Sequence, residues 1–111
     1  ILFVTKAKGR GCDAKGSPTT DGFKVLAGSK AATEPTPTIP KGRKQLRDRL
    51  ITECILSWSA DMKELTFEKS HEFTSASAAA AICLAASANG LTEWVTEKGA
   101  VALKDFEAGN A

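Results

Sequence analysis

An alanine-rich stretch from Phe73 to Trp94 constrains the fold of this chain more than any other segment. Four consecutive alanines, Ala78–Ala81, lie at its centre, and alanine is the residue that favours helix most strongly. Ser75 has the side chain of a helix N-cap, and Asn89 followed by Gly90 tolerates the positive φ at which many helices end. The stretch therefore predicts one helix that begins after Ser75 and ends at Asn89-Gly90, with Trp94 folded back over its alanine face.

Two interpretations of this helix follow from its residues. In the first it is a close-packed core helix, because Ala78, Ile82 and Ala85 fall on one stripe at helical spacing. In the second, Ser75, Ser77 and the free backbone N–H groups at the helix start hold an anion such as phosphate. Anion sites of that kind are usually built with a glycine-rich loop, which the sequence does not have at this point, so the core helix is favoured.

The rest of the pattern indicates a sheet and a second helix. Alternating residues at Phe23–Ala27 follow the turn Ser17–Gly22 and predict a hairpin with Cys12–Lys15. Lys41–Leu56 carries apolar residues at helical spacing and predicts a basic amphipathic helix. Further short strands are expected at Leu65–Phe67, Glu72–Phe73, Glu93–Val95 and Ala100–Leu103. The predicted fold class is α+β: a mainly antiparallel sheet with two helices packed on it.

The length of 111 residues predicts a single small domain. The chain starts at Ile1 rather than at Met, which we interpret as the sign of a C-terminal fragment of a longer protein. Residues 1–10 are interpreted as a linker or flexible arm, although the apolar start also suits a first strand. Residues 33–40 are expected to be a mobile loop, and residues 104–111 a frayed tail.

Composition argues against several classes of function. No apolar run approaches the length that crosses a membrane. The three cysteines lack a C-x-x-C spacing, which indicates reduced thiols in a cytoplasmic protein. We therefore expect no metal site and no cofactor. The usual catalytic motifs are also missing, and the isolated His71, expected in an exposed hairpin turn, is a weak catalytic candidate. The domain is predicted not to be an enzyme.

The net charge of +2 conceals an asymmetry along the chain. Residues 1–49 hold 11 Lys/Arg and four Asp/Glu, a net charge of +7, whereas residues 50–111 carry a net charge of −5. Such a division suits either a basic face for nucleic acid or an interleaved, solvated surface. The side chains nominated for phosphate contacts are Lys6, Lys8, Arg10, Lys15, Lys30, Arg43, Lys44 and Arg47.

Three segments also carry a resemblance to a known family. They are C-D-A-K-G at Cys12–Gly16, G-F-K-V-L-A-G-S-K-A at Gly22–Ala31, and the alanine-rich stretch with its A-N-G-L-T-E-W end. In this order they resemble a domain of unknown function found C-terminal to GIY-YIG nuclease domains in bacterial proteins. More distantly, the serine-alanine and Asn-Gly elements are similar to the RAMA domain of restriction and methylase systems. The chain departs from the family pattern at Ala76, where Pro is usual, and at Leu91, where Trp is usual.

The resemblance and the charge pattern lead to two hypotheses about function. In the first, the domain is an accessory module that binds DNA for a tethered nuclease or restriction/modification-type enzyme. Because the chain contains no tyrosine, the GIY-YIG motif itself would lie in a neighbouring domain. In the second, it is a structural or protein-interaction domain. Clustered basic residues favour the first hypothesis, and a large exposed apolar patch near Ile1–Val4 or Trp58 favours the second.

Overall fold

The sheet is organised around β2 (Cys12–Pro18), the longest strand of the computed structural model, which describes residues 1–109. The other strands in this range are β1 (Phe3–Ala7), β3 (Phe23–Val25), β4 (Lys30–Ala31), β5 (Leu56–Trp58), β6 (Leu65–Phe67), β7 (His71–Phe73) and β8 (Val95–Thr96). All strand pairs are antiparallel, in the order β5-β6-β4-β2-β1-β8, and β3 joins β2 to β7. The predicted α+β class and antiparallel sheet are confirmed.

Four α-helices cover one face of this sheet. They are α1 (Lys41–Thr52), α2 (Ala76–Leu84), α3 (Gly90–Glu93) and α4 (Leu103–Gly109), and a 3-10 helix, Lys8–Arg10, connects β1 to β2. α2 contacts five of the strands, and α1 and α3 pack against α2. α1 and α2 were predicted, whereas α3 and α4 were not. None of the helices described for residues 1–109 is long and apolar enough to span a bilayer.

Two bent strands each divide into two short ones: β3 and β4 form the first, and β6 and β7 form the second. β3 pairs with β7, and β4 pairs with β6, in one continuous register. Against β2 the register shifts at residues 26–29, where a bulge separates β3 from β4. The buried hydroxyl of Ser29 fills the resulting gap, since it accepts from the Lys15 N–H at 3.0 Å and donates to the Lys15 carbonyl at 3.2 Å. His71 therefore lies within β7, opposite Val25, and the predicted exposed hairpin turn there is wrong.

The alanine helix α2 is buried on every side. Seven consecutive residues, Ala78–Leu84, are buried, as expected of a helix that is apolar all round. The strand residues beneath it alternate, so that Cys12 and Ala14 point toward the helix and Asp13 and Lys15 point away. Small side chains in α2 allow the sheet on one side and α1 and α3 on the other to approach its backbone closely.

The end of α2 differs from the prediction. Its last residue is Leu84, after which Ala85 adopts the left-handed conformation (φ 52°) and closes the helix. Asn89 instead begins α3, and its side chain accepts a hydrogen bond from the Leu91 N–H at 3.0 Å. The physical reason is that Asn caps helix starts as readily as it tolerates turns. Gly90 is required next, because a Cβ at this position would overlap the backbone of Ala76 and Ser77.

Both chain ends differ from what the sequence predicted. Phe3–Ala7 forms β1, whose residues pair with both β2 and β8, where a linker or arm was the first expectation. At the other end, α4 occupies the stretch expected to be a frayed tail, and residues 110–111 lie outside the described part of the chain. The strand predicted at Ala100–Leu103 is reduced to one bridge between Val95 and Ala102.

The predicted end of α1 was also inaccurate, and β5 was not predicted. α1 ends at Thr52 rather than Leu56, because Cys54 takes a left-handed backbone conformation (φ 62°) before β5 begins. The loop that precedes α1, expected to be mobile, is tied to α2: the Ala32 N–H donates to the Cys83 carbonyl at 2.7 Å, and the Thr36 N–H donates to the Ala85 carbonyl at 2.9 Å. The C-terminal end of α2 therefore fixes this loop.

Candidate functional site

The cations nominated from the sequence lie on separate surfaces of the domain. The outer face of the sheet, opposite the helices, carries Lys6, Lys15 and Lys30. The 3-10 helix carries Lys8 and Arg10, and the first turn of α1 carries Arg43 and Lys44. Arg47 belongs to neither group because it is buried.

Acidic partners pair with two of the three lysines of the outer face, Lys15 and Lys30. The Lys15 Nζ lies 2.7 Å from the Glu97 Oε2, and the Lys30 Nζ lies 2.6 Å from the Glu64 Oε2. These hydrogen bonds raise the pKa of both lysines. Lys6 and Lys30 both lie opposite Asp13 in the strand register. Charges of both signs thus alternate on this face, and its lysines are poorly suited to bind a polyanion.

Five cations lie on the 3-10 helix and the first turn of α1, and we call them the basic surface. They are Lys8, Arg10, Lys41, Arg43 and Lys44. All five are exposed or half-exposed, and none of them takes part in the ion pairs found within residues 1–109. The first turn of α1 contains no acidic residue. Lys41 was not nominated from the sequence, although the run K-G-R-K at the helix start was the signal that could have identified it.

The short segment Ala32–Glu34 connects the two halves of the basic surface. On one side the Arg10 Nη2 donates to the Glu34 carbonyl at 2.9 Å, and the Thr33 N–H donates to the Arg10 carbonyl at 3.1 Å. On the other side Arg47 of α1 binds the same segment. The basic surface is therefore assembled from parts of the chain that are distant in sequence.

Arg47 is a structural side chain and not a phosphate contact. Its side chain is only 2% exposed, and its two terminal nitrogens donate to the carbonyls of Ala32 at 2.8 Å and Thr33 at 3.1 Å. Burial lowers the pKa of Arg47, because the guanidinium has lost most of its water. The expectation that Arg47 extends an exposed patch is thus corrected.

The start of α2 is engaged within the domain. The Ser75 hydroxyl accepts from the Ala78 N–H at 3.0 Å, and the Ser77 hydroxyl accepts from the Gly90 N–H at 3.0 Å. Trp94 is fully buried, and its Nε1 donates to the Ala76 carbonyl at 3.0 Å. The backbone of α3 therefore occupies the position at which an anion would have to approach Ser77.

Comparison with known proteins adds the family to this description. The model of a family described as a domain of unknown function, DUF4357, matches residues 3–107. The chain belongs to the DUF4357 family. No curated protein and no solved structure matches it. The family match spans the whole sheet, helices α1 to α3 and most of α4, so the basic surface and the alanine helix lie within the same DUF4357 domain.

Cys12, Cys83 and His71 of this DUF4357 domain are wholly or partly buried. Cys12 and Cys83 are buried, and burial raises the pKa of the Cys12 thiol to about 11. Partial burial in β7 lowers the pKa of His71, whose ring packs edge-on against Phe73. Across residues 1–109, no group of three or more His, Cys, Asp or Glu side chains could hold a metal ion.

Proposed function

We propose that this DUF4357 domain is a non-catalytic module that binds DNA through its basic surface. The observation that carries the proposal is a set of five exposed or half-exposed cations that form no ion pair within residues 1–109, on two elements that both contact the Ala32–Glu34 segment. Lysine and arginine bind the phosphate backbone and release its condensed counterions, which gives a salt-dependent affinity. Phosphate contacts carry no direct sequence information, so the binding is expected to be largely independent of sequence.

The proposed role is to hold DNA for an enzymatic domain on the same polypeptide. The resemblance to domains C-terminal to GIY-YIG nucleases supports a nuclease as this neighbour, in a bacterial cytoplasmic protein. The more distant similarity to the RAMA domain supports a restriction/modification-type enzyme instead. In either setting the module acts by raising the effective concentration of DNA near the enzyme. Lysine and arginine side chains carry hydrogen-bond donors and no acceptor, which suits them to binding phosphate oxygens.

Fluorescence anisotropy with a labelled DNA duplex tests the proposal. Affinity is measured across a series of salt concentrations, with and without adenine methylation of the duplex. We expect binding that tightens as salt falls, and substitution of Arg43 or Lys44 by Ala should reduce the slope of log K against log salt by about one each. A preference for the methylated duplex would extend the proposal to readout of a modified base.

The outer face supplies matched controls for this experiment. Lys15→Ala and Lys30→Ala each remove one positive charge, as Lys44→Ala does, but from side chains that already have acidic partners. These variants should leave the salt slope unchanged. If they lower it as much as Lys44→Ala does, the basic surface is not the DNA contact. Wild-type protein that shows no binding even at low salt would overturn the proposal.

The alternative function, a structural or protein-interaction domain, has weaker support. Phe3 and Val4 are buried in the domain, so only Ile1 and the half-buried Leu2 of the apolar start reach the surface, where they line a pocket with residues 96–99. The large exposed hydrophobic side chains in the described residues belong to separate elements and loops: Ile1, Met62, Leu91 and Val101. Single exposed apolar residues of this kind are normal on protein surfaces and indicate no particular partner.

A further inference from the structure

Arg47 is an unusual component of the domain interior. Its guanidinium is 2% exposed, and none of the ion pairs within residues 1–109 includes it. Burying an unpaired cation is costly, and here the compensation comes from two backbone carbonyls, those of Ala32 and Thr33. An apolar side chain would fill the same space without that cost. The useful property of arginine at this position is its ability to bind two successive carbonyls at once.

Those two carbonyls belong to the segment that also binds Arg10. The Thr33 N–H donates to the Arg10 carbonyl, and the Arg10 Nη2 donates to the Glu34 carbonyl. Arg43 lies one helical turn before Arg47 on α1, about 6 Å along the axis. Arg47 thereby links the 3-10 helix that carries Lys8 and Arg10 to the helix that carries Arg43 and Lys44.

We propose that Arg47 is a positioning residue for DNA binding. It holds Ala32–Glu34 against α1, and so keeps Arg10 in line with Arg43 and Lys44, without contacting DNA itself. This inference rests on the proposed function, because it makes a buried side chain responsible for the arrangement of the cations that bind phosphate. Loss of the two hydrogen bonds should release Arg10 from that geometry.

The test uses Arg47→Met, which keeps a long side chain in the buried site and removes both donors. Affinity for a labelled 20-base-pair duplex at 50 mM salt should fall on the order of tenfold, the effect of about one phosphate contact. Adding Arg10→Ala to Arg47→Met should cause little further loss, because Arg10 is already displaced. Adding Lys44→Ala to Arg47→Met should lower the affinity by as much as Lys44→Ala does in the wild-type protein. If the losses from Arg10→Ala and Arg47→Met simply add, Arg47 does not position Arg10.

Arg49→Met is the matched control, because it removes the same charge from an exposed position on the same helix. It should leave the affinity within about twofold of wild type, since an exposed charge outside the contact is largely screened. An equal loss of affinity in Arg49→Met and Arg47→Met would mean that net charge alone explains the effect. If Arg47→Met does not fold, Arg47→Lys serves instead: it keeps the charge, reaches one carbonyl, and should still weaken binding.

Hydrogen exchange at the Thr33 amide separates this inference from the proposed function. In folded Arg47→Met the Thr33 N–H should exchange faster than in wild type, because its segment is no longer held against α1. Unchanged exchange overturns the positioning role even when the wild type binds DNA. Absence of wild-type binding overturns the proposed function, and with it the DNA role of Arg47, whereas faster exchange would still show that Arg47 holds the segment.

Discussion

Helices α1 and α2 pack in opposite ways. α2 is enclosed by the sheet, α1 and α3, and seven of its residues in succession are buried. α1 buries only Arg47 and Leu50 and exposes most of its length. In α2 the sequence is limited by the space available, because protein interiors are packed as densely as organic crystals. In α1 most positions are free of that limit, and they carry the basic side chains.

Gly90→Ala should produce the largest effect on stability. The new Cβ would overlap the backbone of Ala76 and Ser77, so α3 has to move away from α2 and the hydrogen bond between the Gly90 N–H and Ser77 is lost. We expect a loss of about 3 kcal/mol or more in the free energy of unfolding. Urea denaturation followed by circular dichroism measures it. A loss under about 1 kcal/mol would show that the contact between α2 and α3 is loose.

Cys12, which lies beneath α2, should make the stability of the domain fall at alkaline pH. Burial raises the pKa of this thiol from 9.0 to about 11. The folded state then holds this proton more tightly than the unfolded state, so stability is unaffected below pH 9 and falls as the pH rises from 9 to 11. The loss should be on the order of 2 kcal/mol at pH 11.

The measurement compares wild type with Cys12→Ala, which lacks this part of the pH dependence. Iodoacetamide at pH 8 provides a second comparison. The exposed Cys54, just after α1, should react in the folded protein, whereas Cys83 of α2 should react only after unfolding. Rapid labelling of Cys83 in the native protein would contradict the close packing of α2.

Ser75→Ala should have an intermediate effect. It removes the hydroxyl that accepts the Ala78 N–H at the start of α2 and leaves that donor without its cap. The expected loss is about 1 kcal/mol in the free energy of unfolding. Ser75→Asp is the control, since Asp is also a good N-cap and should retain most of the stability. A similar loss in both variants would assign the effect to packing rather than to capping.

Gly42→Ala should have the smallest effect, and the opposite sign. Gly42 lies in the first turn of α1, and an added Cβ would meet no heavy atom within 4 Å. Alanine reduces the conformational freedom of the unfolded chain, so the free energy of unfolding should rise by about 0.5 kcal/mol. The same substitution at Gly42, in α1, and at Gly90, against α2, therefore tests the contrast between the two helices directly. A loss of stability in both variants would contradict that contrast.

The sequence predicted what local chemistry determines. Ser75 and the alanines after it specify the start and burial of α2, and alternation specifies β3. The Asn-Gly pair was ambiguous, because the same residues suit a helix end and a helix start, and only the approach of α3 to α2 decides between them. Strands were predicted near β3, β6 and β7, but β4 and the bends were missed for a related reason: the continuous register of β4 with β6 and of β3 with β7 depends on pairing between distant segments.

The candidate site was predictable only in part. The sequence identified the cations but not their partners, since Glu64 and Glu97 lie far along the chain from Lys30 and Lys15. Arg47 looked like an exposed member of a basic helix, because burial of its guanidinium depends on where the Ala32–Glu34 segment passes. Lys41 was overlooked although it belongs to the same basic run. Whether the basic surface binds DNA stays a prediction.

The outer face of the sheet has a consequence for solubility. A bare antiparallel sheet offers a flat surface on which a second sheet can stack, which is the first step of many aggregation reactions. Here Lys15, Lys30, Glu64 and Glu97 form ion pairs across it, so stacking would strip water from charges of both signs. The domain can thus leave this face uncovered in a crowded solution, while its helices shield the apolar one.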